Sequence, residues 1–320
     1  MKTLFLTISR GGTARNLLQN KFFDKIKSYF DRVVIITPGS KSERFKKEFG
    51  ADKVIFADMY EYEWKPLDNF FVGLQKMLVY NASTEVRDRY GIFDPKEGNY
   101  LKYVLKKIIF FPLSKIGWLK EFVRWCDVQL VPPSTRYDSL FEEYKPDLIF
   151  ASSALEDMEV DIIKTAKKFG VKTVGMGKTW DNLSKIAFRA KTEEFLVWGQ
   201  YSKEEAIRFQ NYDETKIHIC GIPQYDDWID SHLETRDEFC ARVGLDPLKK
   251  IIVYGSEGRV ATYDPDIVAM LVEDIRAQKI LASQIYIRPH QMYPNDREKF
   301  AQFEGVPEVV IDTPWNSDNA

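Results

Sequence analysis

Short runs rich in β-branched and aromatic residues recur along this chain, and nearly every one is followed by a segment with helical spacing. Residues 4–9, 32–38, 53–57, 147–152 and 172–176 read as strands, with helices expected over 14–29, 42–49 and 158–169. Strands that alternate with helices of roughly 10–15 residues specify βαβ units and a mainly parallel sheet. The rhythm breaks at about 61–145, a long, aromatic, basic stretch of mostly helical pattern. A second set of strands reads over 194–199, 216–220, 251–255, 284–288 and 308–312, with helices at 203–210, 264–282 and 296–303. The expected architecture is α/β: two Rossmann-like domains with a cleft between them. The first is placed at 1–188 with a helical insertion at about 61–145, the second at 189–320. Ending on a strand and a polar tail leaves that strand without a covering helix, so the second domain is expected to be minimal or incomplete at its C-terminus.

Composition narrows the function classes. With 320 residues, 44% of them hydrophobic, the chain is long enough for two cores. Lys and Arg number 46 against 48 Asp and Glu, so no global field favours nucleic acid, and none is expected as a partner. Cys126, Cys220 and Cys240 show no C-x-x-C spacing, which fits a reducing cytoplasm better than a disulfide framework or a zinc site. No apolar run approaches the roughly 20 residues of a membrane span. The zincin, serine-hydrolase and P-loop motifs are missing from the sequence, and no metal cluster is legible.

Ligands of open α/β sheets bind at the carboxyl ends of the strands. Several polar groups fall there. Arg10-Gly11-Gly12 follows the first strand, where glycines allow a tight turn and a guanidinium suits phosphate or carboxylate. The spacing is not G-x-G-x-x-G, so a dinucleotide cofactor is not expected. Lys178, Trp180, Asp181 and Asn182 follow the strand at 172–176 and offer charge, a stacking face, a base and an amide. The structural alternative for this segment is an Asx-turn with Trp180 in a core. Gly255-Ser256-Glu257-Gly258 and Arg288-Pro289-His290 follow two later strands; Pro289 fixes the turn that holds His290 at the sheet edge. His218, inside a strand, and His232, in a polar helix or loop, read as structural.

Trp180-Asp181-Asn182, Val197-Trp198-Gly199, Cys220-Gly221-Ile222-Pro223 through Asp226, and Arg288-Pro289-His290 together resemble a known pattern. It is that of bacterial surface-carbohydrate proteins of the two-Rossmann (GT-B) glycosyltransferase group. These are related to CDP-glycerol glycerophosphotransferases and UDP-N-acetylglucosamine 2-epimerases. The resemblance implies a nucleotide sugar or CDP-polyol donor at the second domain, held by Gly221, Ser256, Glu257, Arg288 and His290. A polysaccharide or lipid-linked acceptor would lie at the first domain, facing Arg10, Gly11, Gly12, Lys178, Trp180 and Asn182. His290 would stabilise the departing phosphate and Asp181 would activate the acceptor hydroxyl. An epimerase, or a non-catalytic binding protein of the same fold, is the alternative.

Residues 101–125 add one further expectation. Leu101, Val104, Leu105, Ile108, Ile109 and Phe111 share one helical face, and Lys102, Lys106 and Lys107 lie opposite. Aromatic, basic amphipathic helices lie on membrane surfaces. The stretch is therefore a candidate peripheral contact with the inner face of the membrane, against the alternative of a core helix with its lysines in water.

Overall fold

The computed structural model describes residues 1–91, 98–226, 234–290 and 293–313. It divides into two compact units, Met1–Asp230 and Ser231–Ala320. His232 and the polar tail at 314–320 lie outside the described residues.

In the first unit, seven parallel strands form one sheet. They are β1 (Thr3–Thr7), β2 (Arg32–Thr37), β3 (Val54–Asp58), β4 (Leu148–Ala151), β5 (Lys172–Met176), β6 (Glu194–Val197) and β7 (Ile217–Ile219), in the order β3-β2-β1-β4-β5-β6-β7. Both faces are covered, as all-parallel sheets require. Leu4, Leu6 and Ile8 pack on one side against Leu17, Phe23 and Phe49. Phe5, Val34 and Ile36 pack on the other against Tyr137, Phe141 and Ile162. The expected single helix at 14–29 is two, α1 (Gly11–Leu18) and α2 (Lys21–Tyr29). Asn20 separates them: its side chain accepts from Phe22 N, starting the second helix. Gly11 and Gly12 open α1 instead of forming a turn.

The chain winds outward from β1 to β3, then returns to the other side of β1 at β4. That reversal is a topological switch point, where ligands gather beyond the carboxyl ends. After α3 (Glu43–Phe49) and β3, the return path is the helical insertion: α4 (Pro66–Leu78), α5 (Ala82–Tyr90), α6 (Tyr100–Leu113), α7 (Gly117–Leu130) and α8 (Asp138–Tyr144). The remaining helices of the unit are α9 (Asp157–Phe169) and α10 (Gln200–Gln210).

One expectation about domain limits differs from the structure. Residues 194–197 and 217–219, assigned from sequence to the second domain, extend the first sheet, with Gly175 paired to Phe195 and Leu196 to His218. The compact units divide at Asp230/Ser231, not at 188/189. The connection from β5 to β6 contains no regular helix, so it reads as a linker although the strands pair across it.

The second unit holds β8 (Lys250–Gly255), β9 (Ser283–Arg288) and β10 (Val309–Ile311), parallel and ordered β10-β9-β8. Helix α11 (Arg236–Val243) packs Phe239 and Cys240 against Tyr286, and α12 (Asp264–Arg276) packs Val268 and Val272 against Ile285 and Ile287. The helix expected at 264–282 stops at Arg276, and Gln278 and Ala282 take left-handed conformations in the turn that follows. The helix expected at 296–303 is 3-10 structure over Pro294–Phe303.

Candidate functional site

A buried carboxylate organises the carboxyl edge of the first sheet. Glu159, in the first turn of α9, accepts from Thr7 Oγ1 at the end of β1 and Ser9 Oγ just beyond it, both at 2.7 Å, and from Ser153 N after β4, also at 2.7 Å. Burial pushes its pKa up against the pull of these donors. The result ties β1, β4 and the N-terminus of α9 together and fixes the direction in which Glu156 and Asp157 point.

Beyond that edge lies a cavity of about 410 Å³. Its carboxylates are Glu156 and Asp157, and its cations include Arg10, Lys178 and Arg189. Arg10 forms two hydrogen bonds to Glu156, at 3.0 and 2.8 Å, and Lys178 stands 3.5 Å from the same carboxylate. The two neighbouring acids diverge. Burial works to raise Glu156, but Arg10 and Lys178 outweigh it and hold that carboxyl below the usual glutamate range. Burial also raises Asp157, and there the charge of Arg189, 3.5 Å away, does not compensate, so its pKa lies above the usual aspartate range. Paired carboxyls pushed apart in this way mark acid–base sites.

The cavity's far wall comes from the insertion. Arg189, 4% exposed, is clamped by Asp68 of α4 and Asp127 of α7, the latter at 3.1 Å through both Nε and Nη2. Lys164 of α9 closes the cluster on Asp127 at 2.6 Å. Gln75, 3% exposed, donates to Asp127 at 2.9 Å. Among the described residues, Gln75 Oε1 has no hydrogen-bond partner, and Arg189 Nη1 has only the long 3.5 Å ion pair to Asp157. Both residues line the cavity, as does Trp64. A buried acceptor without a protein partner, beside a guanidinium nitrogen held only by a long ion pair, suits a ligand that both donates and accepts hydrogen bonds, as a polyol or sugar does.

Of the residues singled out from sequence, Arg10, Lys178 and Asn182 line this cavity. Asn182 Oδ1 also accepts from Thr179 N at 3.0 Å, a bond back across the loop rather than the forward one of an Asx-turn. Trp180 and Asp181 do not line it. Trp180 is exposed, and both Asp181 oxygens are engaged, one by Thr179 at 2.6 Å and one by Lys185 at 2.5 Å. Burial raises the Asp181 pKa, but those hydrogen bonds dominate and leave it low, the wrong direction for a base. Side chains added at Gly11 or Gly12 would meet nothing within 4 Å, so no close packing demands glycine there. Gly221 has φ +80° at the end of β7, where only glycine is unstrained, and belongs to the first unit.

Ser256, Glu257, Arg288 and His290 stand at the carboxyl edge of the second sheet. Lys299 is the hub beneath them: it reaches Asp264 at 2.7 Å, Asp296 at 2.9 Å and Gly258 O at 2.8 Å. Ser256 Oγ donates to Asp264 at 3.0 Å and accepts from Gly258 N, and Asp296 accepts from His290 N at 2.7 Å. The Ser256 hydroxyl is thus part of the frame. Glu257 is exposed, and Arg288 projects outward, 3.3 Å from Asp312. His218 pairs with Glu194 at 2.7 Å on the outer strand β7.

Sequence reasoning missed Glu156, Asp157, Gln75, Trp64 and Arg189. The first two follow β4 at the switch point, so the rule that found Arg10 applied to them as well. The other three have no local signal; tertiary packing of the insertion brings them in.

No sequence family matches the chain, and no curated protein matches it in sequence. Solved structures do. The UDP-GlcNAc 2-epimerase of Methanocaldococcus jannaschii superposes with a TM-score of 0.52 at 11% identity, over 99% of this chain and 74% of that one. The Neisseria meningitidis UDP-GlcNAc 2-epimerase bound to UDP-GlcNAc gives 0.52 at 13%, over 98% and 73%. A Rickettsia africae glycosyltransferase gives 0.50 at 12%, over 97% and 68%. The fold is therefore GT-B-like, with two Rossmann-like domains.

Proposed function

We propose that the protein is a nucleotide-sugar-dependent transferase that moves a sugar or polyol-phosphate onto a hydroxylated acceptor bound in the cavity of the first unit. The observation that carries this reading is the cavity itself: a raised Asp157 beside a lowered Glu156, with Arg189 Nη1 only 3.5 Å from Asp157 and Gln75 Oε1 without a partner among the described residues. The acceptor hydroxyl gives its proton to Asp157 and attacks the donor carbon or phosphorus. The bond to the nucleotide's phosphate breaks, and the electron pair leaves with that phosphate. Asp157 takes the role expected of Asp181. Arg189 and Gln75 orient the acceptor, and Trp64 offers its ring as a stacking face.

Donor phosphates are assigned to Arg288 and His290 at the edge of the second sheet, with the exposed Arg288–Asp312 pair weak enough to exchange for phosphate. The neighbours bound to UDP-GlcNAc and to UDP support a uridine donor. The acceptor class, a polysaccharide or lipid-linked precursor, and a place at the cytoplasmic face of the cell envelope follow from the resemblance.

Epimerisation of the nucleotide sugar is the second reading, because two carboxyls with divergent pKa values now face one cavity. Incubation of UDP- and CDP-activated donors with and without acceptor polyols separates them. Acceptor-dependent release of nucleotide supports transfer. Isomerised donor without acceptor supports the epimerase, and no turnover of either kind in a protein that binds the nucleotide leaves a binding module.

A further inference from the structure

The insertion is built inside out. In an ordinary surface helix the apolar stripe faces the core and the charges face water. In α6 the order is reversed. Leu101 and Ile108 are 70% and 68% exposed, Leu105 and Ile109 are also exposed, and the buried residue of the helix is Tyr103. Lys106 and Lys107 turn toward α5, where they pair with Asp88 at 2.8 Å and Glu85 at 3.2 Å. Helix α7 repeats the inversion. Lys120, Arg124 and Asp127 are buried, with Lys120 donating to Phe209 O at 3.0 Å and Arg124 to Phe188 O at 2.9 Å. Trp118, Phe122 and Trp125, spaced along one face, are exposed, and Phe122 stacks on Trp125. Apolar exposure on this scale marks an interaction surface.

We propose that the outer faces of α6 and α7 seat on the surface of an anionic lipid bilayer. Charge selects lipid over a second copy of the chain. Lys102 and Lys115 are exposed on this stretch and form no ion pair among the described residues. Its one carboxylate between 98 and 126, Glu121, is occupied by Arg124, Lys191 and Asn211. In a two-fold interface the same patch meets itself, so unpaired lysines would face a surface with no free acid. Behind α6, a cavity of about 210 Å³ adds Lys76 and Arg87, which also form no ion pair among the described residues, beside the apolar Met77 and Phe110. Exposed aliphatic residues and tryptophans with exposed lysines at their margin match the boundary between headgroups and acyl chains. No helix of the described residues is long and apolar enough to cross a membrane, so the seat is peripheral. The inference does not rest on the transfer reaction.

The test is flotation of the full chain with phosphatidylcholine vesicles, with and without phosphatidylglycerol, at low and moderate salt. Binding to the anionic vesicles that weakens with salt is expected. Pairing Leu105→Ser with Ile108→Ser, or Trp118→Ala with Trp125→Ala, should weaken it more than tenfold at unchanged Tm. Lys102→Gln and Lys115→Gln should each cost roughly fivefold. Quenching of tryptophan fluorescence by brominated lipid gives a readout on the wild-type chain alone. Failure to bind either vesicle, binding indifferent to all these substitutions, or a dimer that the same substitutions dissociate would overturn the proposal.

Discussion

The two sheet edges carry polar clusters of similar composition and opposite character. In the second unit, Lys299 is saturated by Asp264, Asp296 and Gly258 O, and Ser256 is used both as donor and as acceptor. In the first unit, Arg189 is held just as firmly by Asp68 and Asp127, yet its third nitrogen has only a long 3.5 Å ion pair to Asp157, and one oxygen of its neighbour Gln75 has no partner among the described residues, both beside a cavity. A network closed on itself is scaffold. One that is rigid yet left open has a place for something else, because an unmade buried hydrogen bond costs about 1–3 kcal/mol until a ligand supplies it.

The sharpest way to break this contrast is Asp157→Asn. Loss of a positioned base lowers kcat/KM by roughly 10²–10⁴. The pH dependence carries a sign. Catalysis needs the ionised form, so kcat/KM rises with pH through a pKa above the usual aspartate range, and that limb disappears in the variant. Folding has the opposite sign. A carboxyl whose folded pKa is raised binds more protons folded than unfolded, so stability falls as pH rises through the window above its unfolded value. Asp157→Asn removes that loss, and its Tm at neutral pH should match or exceed that of the wild type in calorimetry. A variant that loses both rate and Tm would make Asp157 part of the scaffold.

Next in size are the hubs. Arg189→Met strands two buried carboxylates, as does Lys299→Met, and each should cost about 3–5 kcal/mol in urea unfolding. The outcomes should divide by unit: wild-type protein gains Tm with a polyol acceptor through Arg189, whereas the Lys299 cluster gains nothing from it. Gly258→Ala is third. Its φ is +73°, and a Cβ there would overlap the Tyr293 ring, so about 1–3 kcal/mol of strain should appear as loss of protection in the second unit by hydrogen exchange. Smallest is Arg10→Ala. Its guanidinium is half exposed, so the Glu156 pair contributes only about 0.2–1 kcal/mol to stability. The change should surface instead as a shift in the pH profile, because Arg10 helps hold Glu156 low.

Strands were the most legible elements. Residues 172–176 were bounded as the sheet has them, because β-branched runs between turn residues depend on local preference. Sheet membership was not local: β6 joins the first sheet through Val174 and Glu194, and nothing within 194–197 says so. Only a minority of the cavity's lining was legible: Arg10, Lys178 and Asn182, which lie in the segments that follow strands. Arg189 and Gln75 were not, because they depend on how α4, α7 and α9 pack. The helical wheel of α6 separated its two faces correctly but could not say which one points away from the protein. That was decided by Asp88 and Glu85, residues of another helix.

The pairing of β1 with β4 joins Leu4 to Leu148, and so sets a schedule for synthesis. On the ribosome, Thr3–Thr7 can pair with β2 as soon as that strand emerges. Its other edge must then wait for more than a hundred further residues, on the order of ten seconds at ordinary elongation rates. Throughout that wait a strand destined to be fully buried in the middle of the sheet has an open edge, a template for the wrong partner. The greasy outer helices of the insertion emerge in the same interval. Yield of folded protein should therefore depend on translation speed and on what shields the nascent chain more than on the stability of the finished fold.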